Sequence, residues 1–215
     1  MSSERIVGLV TAGGRSRRFG RDKAREPVPA ALLPDPMAAQ ATSPPTFASW
    51  AARRLLDALA AAAAGQPEPE ILVADRGRRL VPGSHSIDDV AGIGGPAGAL
   101  LGARAARPGM ALLVLACDLP AVPTEALKKL LQAAVGSPRA DAVVPASERG
   151  PEPLVAFYRP RALDELSRRA ASGDLSLQGL LTSDRLDVAT PSAASLHPDP
   201  RRWLRNVNRP SDLSL

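Results

Sequence analysis

Thr11-Ala-Gly-Gly-Arg-Ser-Arg-Arg-Phe-Gly-Arg-Asp-Lys23 combines glycines with cations in a way suited to holding phosphate. Gly13 and Gly14 let a backbone approach a ligand closely and turn its N–H groups toward phosphate oxygens. Arg18 and Lys23 add charge able to neutralise a triphosphate. They belong to a run of six cations in the eleven positions 15–25. A solvated basic turn is the plain alternative. A Walker-type loop is excluded, because that motif needs Gly-Lys-Ser/Thr and here Gly20 is followed by Arg21. The second feature is Asp118, which follows the apolar run Ala111–Ala116 and precedes Leu119-Pro120. A carboxylate there can hold Mg²⁺ against triphosphate oxygens. A turn or helix-capping aspartate is the alternative, but Pro120 and Pro123 delay the next helix, so capping fits poorly.

These groups need a scaffold that brings them to one place. Ile6–Val10 is a short continuous apolar run, which predicts a strand buried on both faces of a parallel sheet. Ile71–Ala74, Ala111–Ala116, Ala142–Val144 and Leu154–Tyr158 read the same way. Between them, helices are expected over Thr46–Ala64, from Pro96 to about Arg107, from Thr124 with Leu127, Leu130, Leu131 and Ala134 on one face, and from Pro160. Alternating strands and helices predict an α/β fold, a Rossmann-like doubly wound, mostly parallel sheet. Such sheets bind ligands beyond the carboxyl ends of their strands, where the glycine loop, Asp75 and Asp118 all fall. The chain's length of 215 residues fits a single domain over 1–215. Residues 27–45 carry six prolines and predict an extended or mobile loop. Residues 76–90 are weakly patterned.

Other chemistries fall away. Gly92-Ile-Gly-Gly-Pro-Ala97 matches G-x-G-x-x-A, but the preceding Ser84–Val90 is a poor strand, so a dinucleotide fingerprint is disfavoured. Glycines such as Gly95 that let a helix start close to a base or sugar fit better. His85 and His197 are the two histidines and lie in no zinc spacing. There is no Gly-x-Ser-x-Gly elbow. The net charge of +5 and pI of about 10.3 favour anionic partners. Six aromatics in all, and cations gathered at one loop, argue against nucleic-acid binding. The single cysteine, Cys117, sits in an apolar run and reads as a buried small hydrophobe. With no disulfide framework, no leader-like opening and no apolar run near ~20 residues, a cytoplasmic protein without membrane association is expected.

Taken together these residues resemble the molybdenum cofactor guanylyltransferase family, within the wider nucleotidyltransferase group. The family opens with Leu-Ala-Gly-Gly-x-Ser-x-Arg-Met-Gly-x-Asp-Lys, which Thr11–Lys23 follows closely. Asp88-Asp89 and the loop after it resemble the family's Asp-Asp and Gly-Pro-Leu-Ala-Gly. Cys117-Asp-Leu-Pro120 resembles Cys-Asp-Met-Pro, and Pro153–Tyr158 resembles Pro-Leu-Phe-Ala-Leu-Tyr. Asn206-Val-Asn-Arg-Pro-Ser-Asp-Leu213 is similar to Asn-Val-Asn-Thr-Pro-Glu-Asp-Leu. The resemblance implies a nucleotide-diphospho-sugar transferase type of fold and transfer of GMP from GTP to molybdopterin, with release of pyrophosphate. It implies that Arg18, Lys23 and Asp118 carry the catalysis, with Mg²⁺ on Asp118. Thr11, Ala12, Gly13, Gly14, Lys23, Asp75, Asp89 and Gly95 would bind the nucleotide. Asn206 and Asn208 would face the acceptor, and molybdoenzymes or their chaperones would be partners. Two departures stand out. Arg25-Glu-Pro27 and the proline-rich stretch replace the family's Leu-Leu-Pro and short turn, and Asp75-Arg76 replaces Asn-Arg. The alternatives are a cytidylyl- or other nucleotidyltransferase with a different acceptor, and a non-catalytic nucleotide- or pterin-binding protein.

Overall fold

In a computed structural model, which describes residues 4–14, 19–34, 44–62 and 68–213, the apolar runs form the centre of a twisted sheet. Its strands are β1 (Ile6–Thr11), β2 (Ile71–Ala74), β3 (His85–Ile87), β4 (Ala111–Ala116), β5 (Ala142–Val143), β8 (Val155–Tyr158) and β9 (Val188–Ala189), in the order β3-β2-β1-β4-β8-β5-β9. β6 (Ala146–Ser147) and β7 (Gly150–Pro151) form a separate short hairpin. β8 runs antiparallel to both β4 and β5, while the β1–β2, β1–β4, β2–β3 and β5–β9 pairs are parallel. The sheet is thus mostly parallel, as the alternation of elements predicts.

Around it lie α1 (Phe47–Ala62), α2 (Gly95–Ala106), α3 (Thr124–Gly136) and α4 (Pro160–Ala171), followed by the short α5 (Leu177–Leu181), α6 (Ala193–Leu196) and α7 (Pro200–Trp203). Period-two alternation assigns the faces. Along β4, Leu113 and Leu115 join one apolar cluster with Leu55 of α1 and Leu127 and Leu130 of α3. Leu112 and Val114 join the other with Leu100 of α2 and Leu163 and Leu166 of α4. Both faces of the central strands are covered, which is why they read as unbroken apolar runs. α1 begins at Phe47, where the Thr46 hydroxyl accepts from the Ser49 N–H at 3.2 Å and caps the first turn. The expected end of that helix, at Ala63, Ala64 and Gly65, lies outside the described residues.

The proline-rich stretch is anchored at both ends. Pro27 bridges to Thr46, and the Val28 N–H donates to the Pro45 carbonyl at 2.8 Å. Between these points Val28, Leu32 and Leu33 are buried around a 3-10 turn at Ala30–Leu32. Residues 27–34 thus form a loop with one 3-10 turn, held in place because three apolar side chains reach the core. Residues 35–43 lie outside the described part.

The strand order places the site. From β1 the chain moves to β2 and β3 on one side, then returns to add β4 on the other. The register pairs Thr11 with Ala116, so the carboxyl ends of β1 and β4 lie side by side at this switch point. Beyond them α2 approaches the Asp88–Ile93 segment closely. A Cβ on Gly98 would lie 2.1 Å from the Ile93 carbonyl oxygen and 3.2 Å from Asp89 Cβ. One on Gly102 would lie 2.2 Å from the Asp88 carbonyl oxygen. These neighbours are mostly backbone and cannot swing aside. Gly98→Ala is expected to cost about 1–3 kcal/mol as overpacking, which lowers the melting temperature by roughly 2–4 °C per kcal/mol. A thermal melt at the wild-type temperature would show instead that the segment yields.

Candidate active site

Beyond the ends of β1 and β4 lies a cavity of about 320 Å³. Its wall contains Thr11, Ala12, Gly13 and Gly14 from one strand end, and Ala116, Cys117 and Asp118 from the other. Lys23, Asp89, Gly95 and Asn208 complete it, with Phe19 and Pro96 among its apolar members. The strand ends stay paired one residue past the sheet: the Cys117 N–H donates to the Thr11 carbonyl at 3.2 Å, and the Ala12 N–H to the Ala74 carbonyl at 3.1 Å. Residues from six separate stretches of chain thereby meet in one place.

Lys23 is buried and sits at the centre of the polar contacts. Its ammonium donates to the Val207 carbonyl at 2.6 Å and lies 3.6 Å from Asp118 Oδ2. The Val207 N–H in turn donates to the Asp118 backbone carbonyl at 2.9 Å. These bonds draw the C-terminal segment across the mouth of the site and put Asn208 on the wall. Asp118 Oδ1 is buried with no hydrogen-bond partner among the described residues. Asp89 behaves alike. Its Oδ2 accepts from Arg76 Nε at 2.9 Å and lies 2.8 Å from Arg76 Nη2, whereas Oδ1 is buried without a partner among the described residues. Gly13 faces this carboxylate, since a Cβ there would stand 3.4 Å from both of its oxygens. Gly95, at φ +75°, begins α2 on the cavity wall, where the N–H groups of a helix start carry partial positive charge.

A family model described as the MobA-like NTP transferase domain matches residues 8–188 of this chain. The chain belongs to that family. A Chloroflexus aggregans protein named "Probable molybdenum cofactor guanylyltransferase" is 34% identical over 224 residues, covering 98% of this chain and 92% of that protein. A Deinococcus radiodurans protein of the same name is 30% identical, covering 97% and 92%. Among solved structures, molybdopterin-guanine dinucleotide biosynthesis protein A from Archaeoglobus fulgidus shares the fold with a TM-score of 0.69 at 22% identity, over 96% of this chain and 94% of that one. The MobA-like transferase is a nucleotidyltransferase, and its sheet is of the type the sequence pattern leads one to expect.

Within this MobA-like chain the expected site residues divide. Thr11, Ala12, Gly13, Gly14, Lys23, Asp89, Gly95, Asp118 and Asn208 share the cavity. Asp75 is not on its wall: it is fully buried and accepts from the Ser86 hydroxyl and, at 2.8 Å, from the Leu80 N–H, so it braces the turn after β2. Asn206 is exposed and also off the wall. Arg18 lies outside the described residues. Arg76 and Arg78 were not legible as site-building residues, because they stand in a weakly patterned stretch and their carboxylate partners, Asp89 and Asp22, are distant in sequence.

Two ionisable groups report on this environment. Burial, reinforced by the charge of Asp118, pushes the Cys117 thiol up to about 12, so it stays a neutral packing group. Asp212 accepts the N–H groups of Asn208 and Arg209, each at 2.8 Å, and these bonds hold its carboxyl below the ordinary range. They favour the ionised form, so their stabilisation is present above the ordinary carboxylate pKa and is lost as pH falls through the lowered one. Asp212→Asn is accordingly expected to lower the melting temperature at neutral pH and to leave it unchanged well below the ordinary carboxylate pKa, where both side chains are neutral. A melting temperature unchanged at neutral pH would show that these bonds do not stabilise the fold.

Proposed function

We propose that the protein transfers GMP from GTP to the terminal phosphate of molybdopterin and releases pyrophosphate. The observation that carries this reading is that Asp89 and Asp118, each with a buried Oδ1 that has no hydrogen-bond partner among the described residues, line one cavity with Lys23 and the glycine loop. A buried acceptor without a donor costs about 1–3 kcal/mol, and a fold that keeps two of them in one cavity keeps them for a ligand. The names of the curated relatives support guanylyl transfer as the reaction.

Each group then has a task. The acceptor's phosphate oxygen attacks the α-phosphorus, the bond from that phosphorus to the bridging oxygen breaks, and pyrophosphate leaves. The protein's part is to position reactants and stabilise charge. The Gly13 and Gly14 N–H groups, with Lys23 and Arg18, take the phosphates. Asp89 Oδ1 takes the guanine edge, whose N1–H and amino group are donors that suit a carboxylate. Cytosine offers mostly acceptors there and is repelled. Asn208 and, just outside the cavity, Asn206 face the acceptor.

Asp118 Oδ1 is a hard oxygen donor of the kind Mg²⁺ takes. That ion binds through one or two carboxylates with substrate phosphates and water, which agrees with there being no cluster of three or more metal-binding side chains among the described residues. Bound at Asp118, Mg²⁺ supplies charge withdrawal from the phosphate oxygens. We place the reaction in the cytoplasm, where a lone buried thiol is at home and molybdoenzymes or their chaperones receive the product. None of the described helices is long and apolar enough to cross a membrane. The test is pyrophosphate release with Mg²⁺ and molybdopterin, comparing GTP with CTP. Release with GTP alone supports the proposal, and release with CTP alone sinks the base assignment to Asp89.

A further inference from the structure

The phosphate loop follows β1 at Ala12 and ends at Asp22, which caps the 3-10 turn that begins with Lys23. Both ends are held by one side chain from outside the loop. Arg78 lies in the turn after β2, 66 residues from Ala12 and 56 from Asp22. Its Nη2 donates to the Ala12 carbonyl, its Nη1 to Asp22 Oδ1 at 2.7 Å, and its Nε to the Asp75 carbonyl at 2.8 Å. Asp22 also accepts from the Ala24 N–H at 3.3 Å and so caps the 3-10 turn Lys23–Arg25. The Arg25 guanidinium closes the network on the Arg78 carbonyl at 3.1 Å. Arg78 itself is not on the cavity wall.

We propose that Arg78 is a positioning residue for nucleotidyl transfer, fixing both ends of the phosphate loop without touching the nucleotide. Two physical consequences follow. In a planar trans peptide the C=O and the next N–H point in opposite directions. Drawing the Ala12 carbonyl toward Arg78 therefore turns the N–H of Gly13, a residue of the cavity wall, away from Arg78. Holding the Asp22 carboxylate fixes the cap of the turn that aims Lys23 at Asp118. Only a guanidinium offers N–H groups in a rigid planar fork that can serve three fixed acceptors at once; a lysine ammonium is a single point of charge. The inference rests on the assignment of Ala12–Lys23 to the triphosphate made above.

The experiment compares Arg78→Ala, Arg78→Lys and Lys23→Ala in the full chain, by pyrophosphate release, GTP titration calorimetry and thermal melting. Arg78→Ala is expected to lose on the order of 10²-fold in kcat/KM for GTP, the scale of a misplacement of about 1 Å, while the KM for the acceptor is unchanged. Arg78→Lys should fall in between. Added guanidinium ion should restore part of the lost rate in Arg78→Ala and none in Arg78→Lys, where the site is filled. A loss that tracks the melting temperature, vanishes in the cold and is not restored by guanidinium would overturn the proposal and leave Arg78 a stabilising residue only. Unchanged kinetics in Arg78→Ala would overturn it as well. If Arg78→Ala does not fold, Arg78→Lys decides: wild-type kcat/KM for GTP refutes the role of the fork, and a loss at wild-type melting temperature upholds it. Full activity in Lys23→Ala would mean that the loop assignment itself has failed, which separates the two readings.

Discussion

Asp118→Ala is expected to lower pyrophosphate release by on the order of 10³-fold, the upper range for removing one group that meets charge developing in a transition state. The loss should lie mainly in kcat, because the carboxylate acts on phosphate charge more than on the base. Stability should respond differently. Asp118 Oδ1 is buried and has no hydrogen-bond partner among the described residues, and its neighbour Oδ2 faces Lys23 at 3.6 Å. Removing the side chain relieves the first and loses the second, two opposing effects of similar size. The melting temperature is therefore expected to stay within about 3 °C of wild type, at roughly 2–4 °C per kcal/mol. Asp118→Asn is the matched control. It keeps the shape and the backbone carbonyl that accepts from Val207, but loses the negative charge a cation requires. Activity above a tenth of wild type, about 1.4 kcal/mol of barrier, in either variant would refute the metal-holding role.

Lys23→Ala carries the second large effect, with a different signature. The ammonium bonds to a carbonyl 184 residues away in sequence and stands beside the site carboxylate. Its loss removes a phosphate-neutralising cation and frees the segment that bears Asn208. We expect a fall on the order of 10²–10³-fold in kcat/KM, divided between a raised KM for GTP and a lowered kcat. The Val207 carbonyl is left without its ammonium donor, at a cost of about 1–3 kcal/mol. Thermal stability should therefore drop here, in contrast to Asp118→Ala. Lys23→Arg should not rescue, because a planar guanidinium cannot take the place of a compact ammonium in so buried a position. Steady-state kinetics beside a melt separate the two variants, and a Lys23→Ala enzyme with wild-type KM for GTP would remove this lysine from the nucleotide site.

Residue order alone carries the long helices, the longer strands and the two chemical anchors. Apolar runs such as Ala111–Ala116 and the 3.6-residue spacing of α3 are local signals, since burial on two faces or on one stripe is written directly into residue order. The glycine loop and the aspartate at a strand end are equally local, and both arrived on the cavity wall. Tertiary structure decided the rest. Asp75, at the end of an apolar run, and Asp89, through the family resemblance, are both expected at the nucleotide, yet Asp75 is enclosed by Ser86 and Leu80 while Asp89 lines the cavity. Which of the two faces a ligand depends on how the turn after β2 folds over its own strand, and no spacing rule encodes that. Asn206 and Asn208 are both exposed, yet only Asn208 lines the cavity, next to Val207, whose bonds to Asp118 and Lys23 hold the segment there. The short strands β3 and β9 are too brief for a period to register, and the antiparallel setting of β8 is a matter of sheet pairing. Arg78 is the clearest case. As one arginine among many it carries no signal, and its meaning comes from three acceptors that only the folded chain brings within reach of one guanidinium.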